Sequence, residues 1–172
     1  MDILVAYYSE TGNTRKLAEA IFAGITHSRK ELLSIGEVKD SAKYDIIFCG
    51  FPVINHGVPA KMTQFINSIP KGKTLAFFAT HGSLRGGEKA ITAFYAALSL
   101  AHGQTILGTF GCRGQVNSKL LDSLIQQPEH KAWAIEANSA NGHPTASDLA
   151  DARAFADLML HNAKQSHGKG SK

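Results

Sequence analysis

Cysteine is scarce in this sequence: Cys49 and Cys112 are the only two among 172 residues. They form no CxxC pair, and each sits in an apolar run. That excludes a disulfide framework or a cysteine zinc site, and points to buried free thiols in a reducing compartment. Tryptophan occurs once, as Trp133. No apolar stretch reaches the ~18 residues needed to cross a membrane as a helix. Met1-Asp2 leads straight into an apolar strand pattern without a basic start and cleavage site, so a cytoplasmic protein is expected. An excess of charge is missing too. The formal charge is +4, but Lys164, Lys169 and Lys172 of the polar tail "KQSHGKGSK" supply most of it. The rest is close to neutral, which argues against nucleic acid as the main partner. The tail, residues 164–172, is expected to be disordered. Internal repeats are also absent, so residues 1–163 read as one domain.

Apolar runs alternate with helical patterns. "ILVAYY" (Ile3–Tyr8), "DIIFCGF" (Asp45–Phe51) and "TLAFFAT" (Thr74–Thr80) are apolar on both faces, as central parallel strands are. "ELLSI" (Glu31–Ile35) suits an edge strand, and "TILGTFGC" (Thr105–Cys112) a fifth strand interrupted by Gly108. Leu17, Ile21, Phe22 and Ile25 share a helix face. So do Met62, Phe65, Ile66 and Ile69, and again Ile91, Phe94, Tyr95 and Leu98. A last helix is predicted from about Ser147, its cap, to His161. This order predicts an α/β fold: an open parallel sheet with helices on both faces. The link "GEVKDSAKY" is short for a parallel crossover and has room for one helical turn. Residues 113–146 form a long region after the fifth strand, with a helix predicted at Ser118–Gln126 and no other periodicity.

The stretch "SETGNT", Ser9–Thr14, falls between the first strand and the first helix. In an open parallel sheet, ligands bind beyond the carboxyl ends of the strands. A helix amino terminus there offers unpaired N–H groups and a partial positive charge, which suit a phosphate. Ser9, Thr11 and Thr14 add hydroxyls, and Gly12 lets the backbone approach closely. A helix cap alone would explain part of this composition. The spacing matches neither GxxxxGK[ST] nor GxGxxG, so neither a triphosphate P-loop nor a Rossmann dinucleotide site is indicated.

"SETGNT" resembles the [ST]-x-T-G-x-T phosphate loop of flavodoxins, and the similarity extends over roughly Met1–Cys112 plus the last helix. The resemblance implies a flavodoxin-like five-stranded parallel sheet of order 2-1-3-4-5 and FMN as cofactor. Its phosphate would lie on Ser9, Thr11, Gly12, Asn13 and Thr14, with Glu10 of the same loop also at the cofactor. Two further loops would clasp the isoalloxazine ring: "GFPVINHGVP", with Pro52, Val53, Ile54, Asn55, His56 and Gly57, and "THGSLRGGE", with Thr80, His81 and Gly82. Pro52 and Pro59 stiffen the first loop, and Gly57 is expected to make its turn. The chain departs from the family in one respect. Flavodoxins usually sandwich the ring between a Trp and a Tyr of these loops, whereas here Trp133 lies elsewhere in the sequence and Leu84 stands where the Tyr is expected. Phe51, Ile54, His56 or His81 would stack instead.

Three functions follow. An FMN electron carrier serving redox partner proteins, as monomer or homodimer, needs no catalytic acid, although such carriers are usually acidic. An FMN-dependent NAD(P)H oxidoreductase acting on a small substrate is the alternative, with Arg85, Lys89 and Arg113 available to a nicotinamide phosphate. A binding module that has lost its flavin is the third, and the intact phosphate loop argues against it. The region 113–146 emerges at the ring end of the sheet, as a lid, a partner surface or a structural decoration.

Overall fold

The computed structural model describes residues 1–26, 28–84 and 87–169. The elements run β1 (Asp2–Tyr7), α1 (Asn13–Gly24), β2 (Arg29–Ser34), β3 (Ile46–Pro52), α2 (Ala60–Ser68) and β4 (Thr74–His81). They continue with α3 (Glu88–Leu100), β5 (Thr105–Arg113), α4 (Ser118–Leu124), α5 (Pro128–Asn138) and α6 (Ala146–Lys169). The five strands are all parallel, in the order β2-β1-β3-β4-β5.

The period-two alternation of strand side chains sorts the core into two layers. Ile3, Val5, Ile46, Phe48, Ala76 and Phe78 face α1 and α6, against Leu17, Ile21, Phe155 and Met159. Leu4, Ile47, Cys49, Leu75 and Phe77 face the other way, onto Met62, Phe65, Ala93 and Ala97 of α2 and α3. Phe48, Phe51, Phe77 and Phe78 are fully buried, each worth about 1.5–3 kcal/mol of hydrophobic stabilisation. Both cysteines are buried free thiols, and burial pushes the Cys49 thiol well above its ordinary pKa.

Several expectations are corrected. The β2–β3 link forms turns rather than a helical turn, and Val38 and Tyr44 cover the sheet there in place of a helix. Residues 128–138, which show no periodicity, form α5, with Pro128 at its start and Glu129 in its first turn. The cap of α6 is Thr145 rather than Ser147. Thr145 Oγ1 accepts from the Asp148 N–H at 3.3 Å, while Asp148 Oδ2 accepts from the Thr145 N–H at 2.7 Å, a reciprocal capping box. The tail is helical as far as Lys169. Its polar residues continue the helix because Lys, Gln and Ser permit it, Ala163 is buried against the core, and Gln165 bonds His161 one turn back at 2.7 Å. Residues 170–172 lie outside the described residues.

Helices α1 and α6 meet at Gly24 without room for a methyl group: a Cβ there would lie 2.5 Å from the Arg153 carbonyl oxygen and 2.8 Å from its Cα. Backbone cannot rotate away as a side-chain tip can. Gly24→Ala should therefore lower stability by about 1–2 kcal/mol, the overpacking cost exceeding alanine's better helix propensity. Thermal denaturation reads this as a fall of several degrees in Tm; an unchanged or raised Tm would show that the two helices part freely.

Candidate functional site

The carboxyl ends of β1, β3, β4 and β5 open into one cleft, and the turn after β1 forms one end of it. Gly12 precedes α1 with φ 91°, a left-handed conformation that favours glycine, and no side chain caps the helix. The Ser9 hydroxyl instead accepts from the Gly12 N–H at 3.1 Å, inside the turn. A capping role for this segment is thus not what the geometry shows. The first N–H groups of α1 have no intrahelical partner, and the helix dipole adds positive potential at that point.

Two neighbouring segments, the end of β4 and the stretch just beyond β5, hold this turn in place. Buried Thr14 shares a 2.8 Å hydrogen bond with Thr80 at the end of β4. Asn13 Nδ2 donates to the Gln115 carbonyl beyond β5 at 2.8 Å and to Thr11 Oγ1 at 3.3 Å. Gly114 sits so close that a Cβ would lie 3.1 Å from Asn13 Nδ2 and 3.2 Å from Thr80 Cβ. Glu10, a carboxylate beside this anion-favouring turn, accepts from the Tyr8 hydroxyl at 2.6 Å, and that bond raises the pKa of the phenol.

A cavity of about 450 Å³ runs from Thr11, Asn13 and Thr14 past Pro52, Thr80 and Gln115. It is continuous, through Val53, Ile54, His81, Gly82, Val116 and Leu120, with a second of about 430 Å³. Asn55, His56, Ser83 and Lys89 line the second cavity, together with Leu124, His130 and Trp133. The structure therefore brings twelve of the fifteen sequence-proposed residues onto one cleft: Glu10, Thr11, Asn13, Thr14, Pro52, Val53, Ile54, Asn55, His56, Thr80, His81 and Gly82. Ser9, Gly12 and Gly57 do not line it. Ser9 borders a separate groove with Tyr8 and Lys61, and Gly57 closes a turn.

That turn differs from expectation. Ile54 and Gly57 exchange backbone hydrogen bonds at 2.9 and 3.2 Å, and the left-handed residues are Asn55 (φ 49°) and His56 (φ 64°). Two consecutive positive φ angles make a type I′ turn. Asn55, not Gly57, supplies the residue type that tolerates it best. Phe51 is not available to a ligand, being fully buried and packed on Phe94 with ring centroids 6.2 Å apart. Leu84 is exposed, and Arg85 lies outside the described residues.

Arg113 belongs to the framework. Its Nη2 donates to the carbonyls of Gly82 (3.3 Å) and Glu136 (2.9 Å) and to Ser139 Oγ (2.9 Å). The largest departure from the sequence reading is Trp133. Helix α5 carries it to the cleft wall, and its indole N–H donates to Ser83 Oγ at 3.2 Å. Lys89 Nζ lies 4.9 Å from the ring centroid. No group of three or more potential metal ligands occurs among the described residues. No described helix is long and apolar enough to cross a membrane.

Comparison with known proteins places the fold. Residues 4–157 match the flavodoxin domain, and the chain belongs to that family. It is 27% identical to the flavodoxin-like domain-containing protein BilS of Clostridioides difficile, over 95% of this chain and 98% of that protein. It is 25% identical to an NAD(P)H dehydrogenase (quinone) of Cupriavidus metallidurans, over 96% and 98% respectively. Among solved structures, a flavodoxin from the domain Archaea superposes with a TM-score of 0.64 at 21% identity, covering 95% of this chain and 99% of that one.

His81 carries a pH signature of the cleft. Burial, seconded by the Arg113 charge, holds its pKa below the ordinary value, against the opposing Ser83 carbonyl and Glu136. Nδ1 lies 2.9 Å from the Ser83 carbonyl, which accepts only, so Nδ1 carries the proton. The unfolded chain binds a proton near pH 6.5 that the folded ring resists. Stability is accordingly complete above about pH 7 and falls as the pH drops below about 6.5. Denaturant midpoints measured between about pH 8 and 5.5 should fall for the parent and fall less for His81→Gln. Parallel curves would mean that water reaches the ring freely.

Proposed function

We propose that this protein holds FMN in the cleft and passes electrons between redox partner proteins. The observation that carries the reading is the continuity of the cleft, from an anion-favouring helix turn at one end to a largely apolar chamber at the other. The residues present fit the cofactor. Gly12, the first turn of α1 and the hydroxyls of Thr11 and Thr14 suit its phosphate. Pro52–Asn55 and Thr80–Gly82 suit the chain and ring beyond it. When bound, FMN supplies one- and two-electron redox chemistry.

Electron transfer asks little more of the protein. It must hold the ring, keep part of it near the surface and present a docking patch. Asn55, His56, Leu120 and His130 all line the ring end of the cleft and are exposed, so that end is open to an approaching partner. His81, neutral and engaged with Ser83, adds no charge to the chamber.

A second reading, an FMN-dependent NAD(P)H oxidoreductase, is favoured by the size and apolar lining of the chamber and by the name of the Cupriavidus relative. Hydride transfer would need a nicotinamide held within about 3–3.5 Å of the flavin. Stopped-flow reduction of the FMN-loaded protein by NADH and by NADPH, without a reductase, separates the two. A carrier should be reduced more slowly than about 1 s⁻¹, the low end of ordinary turnover, and rapidly once a flavin or iron–sulfur reductase is added. Saturable reduction by nucleotide alone above that rate would establish the oxidoreductase instead.

A further inference from the structure

We propose that Trp133 contacts the flavin ring and that α4–α5 is a fixed wall built to present it. The inference rests on the FMN reading of the cleft and assigns the aromatic contact to a part of the chain outside the two ring loops. Those loops contribute no tryptophan or tyrosine to the chamber: Val53, Ile54, Asn55 and His56 come from one, and His81, Gly82 and Ser83 from the other. Among the described lining residues, the only aromatic ring besides imidazoles is the Trp133 indole.

Its position is over-determined. Nε1–H is held by Ser83 Oγ, and Lys89 sits over the ring. The backbone of Gly82 passes close to the six-membered ring of the indole. A Cβ added at Gly82 would lie 3.3 Å from Trp133 Cζ2 and 2.6 Å from Val116 Cγ2, so a larger residue there would push the wall outward. Helix α5 is further keyed to the loop after β4. Glu136 Oε1 accepts from the Leu84 N–H at 2.7 Å, and Arg113 bridges the Gly82 and Glu136 carbonyls. Beneath the wall, Leu121, Ala134 and Ala137 form a small core of their own, with Val116, Leu124 and Trp133 packed on it. An indole held by this many contacts loses little side-chain freedom when a ligand arrives, which favours binding. A planar, π-rich partner is what such a surface takes best, since stacked or edge-on aromatic contacts add to plain area burial.

The test uses purified protein stripped of flavin and titrated with FMN, following binding by calorimetry and the emission of the bound flavin. Indole quenches an excited flavin only in contact with it, by giving up an electron. In the parent, bound FMN should be dark. Trp133→Leu should bind FMN about tenfold or more weakly, as loss of a stacking side chain does, and its bound flavin should be several-fold brighter. Trp133→Phe should keep near-parent affinity, because it keeps a ring, yet be equally bright, because phenylalanine does not donate the electron. If the leucine variant does not fold, the phenylalanine variant decides alone: bright supports the contact, dark overturns it. A leucine variant with parental affinity and parental emission would overturn this assignment while leaving FMN binding intact. Failure of the parent itself to bind FMN would remove the cofactor reading along with it.

Discussion

The guanidinium of Arg113 is the joint on which the α5 end of the cleft depends. It stands at the end of β5 and donates to the Gly82 carbonyl of the loop after β4 and to the Glu136 and Ser139 carbonyls at the end of α5. Carbonyls in a last helical turn carry the negative end of the helix dipole, so a cation is favoured there. Hydrogen bonds to a charged group are worth roughly 1.5–3 kcal/mol each. The same charge adds to the burial that keeps His81 neutral. Strand pairing already sets the end of β5 beside that of β4, with Arg113 opposite His81, and the guanidinium fastens α5 to both.

The other end of the cleft, at the turn after β1, follows a different design. Parallel strands leave their carboxyl ends without a hairpin to close them, and the turn after β1 must be held from the side. Thr14 with Thr80, and Asn13 with the Gln115 carbonyl, do this using short polar side chains. Their neutrality matters. A lysine or arginine in the turn would bind phosphate as a charge in its own right, whereas Arg15 is directed outward, 3.0 Å from Glu19 on the helix surface. In the proposed site, hydroxyls, backbone N–H groups and the dipole of α1 would hold the anion. The two ends meet at β4, where Thr80 supports the turn and His81 and Gly82 border the chamber.

What was readable in the sequence follows the range of the forces involved. The strand runs and the faces of α1, α2 and α3 are visible because burial on a regular element leaves a period of two or of 3.6 residues. The glycine turn is visible because its chemistry is local. Helix α5 left no such trace: it buries only Ala134 and Ala137, while Ile135 is exposed. Trp133 accordingly read as a lone aromatic in an aperiodic stretch, and its route to the cleft depends on Arg113 and Gly82, residues distant in sequence. Arg113, available by sequence to a nicotinamide phosphate, is instead spent on backbone carbonyls. The assignment of the ring-loop turn to Gly57 was misplaced for a smaller reason, since Asn55 and His56 both adopt positive φ although neither is glycine.

The central claim is that the turn at Gly12 and the start of α1 bind the phosphate of a flavin mononucleotide. Calorimetric titration of the same flavin-free preparation with FMN and with riboflavin, which lacks only that phosphate, tests it most directly. Two or more hydrogen bonds to a charged phosphate, each worth roughly 1.5–3 kcal/mol, should make FMN bind at least about 100-fold more tightly than riboflavin. Equal affinity for the two would contradict the account.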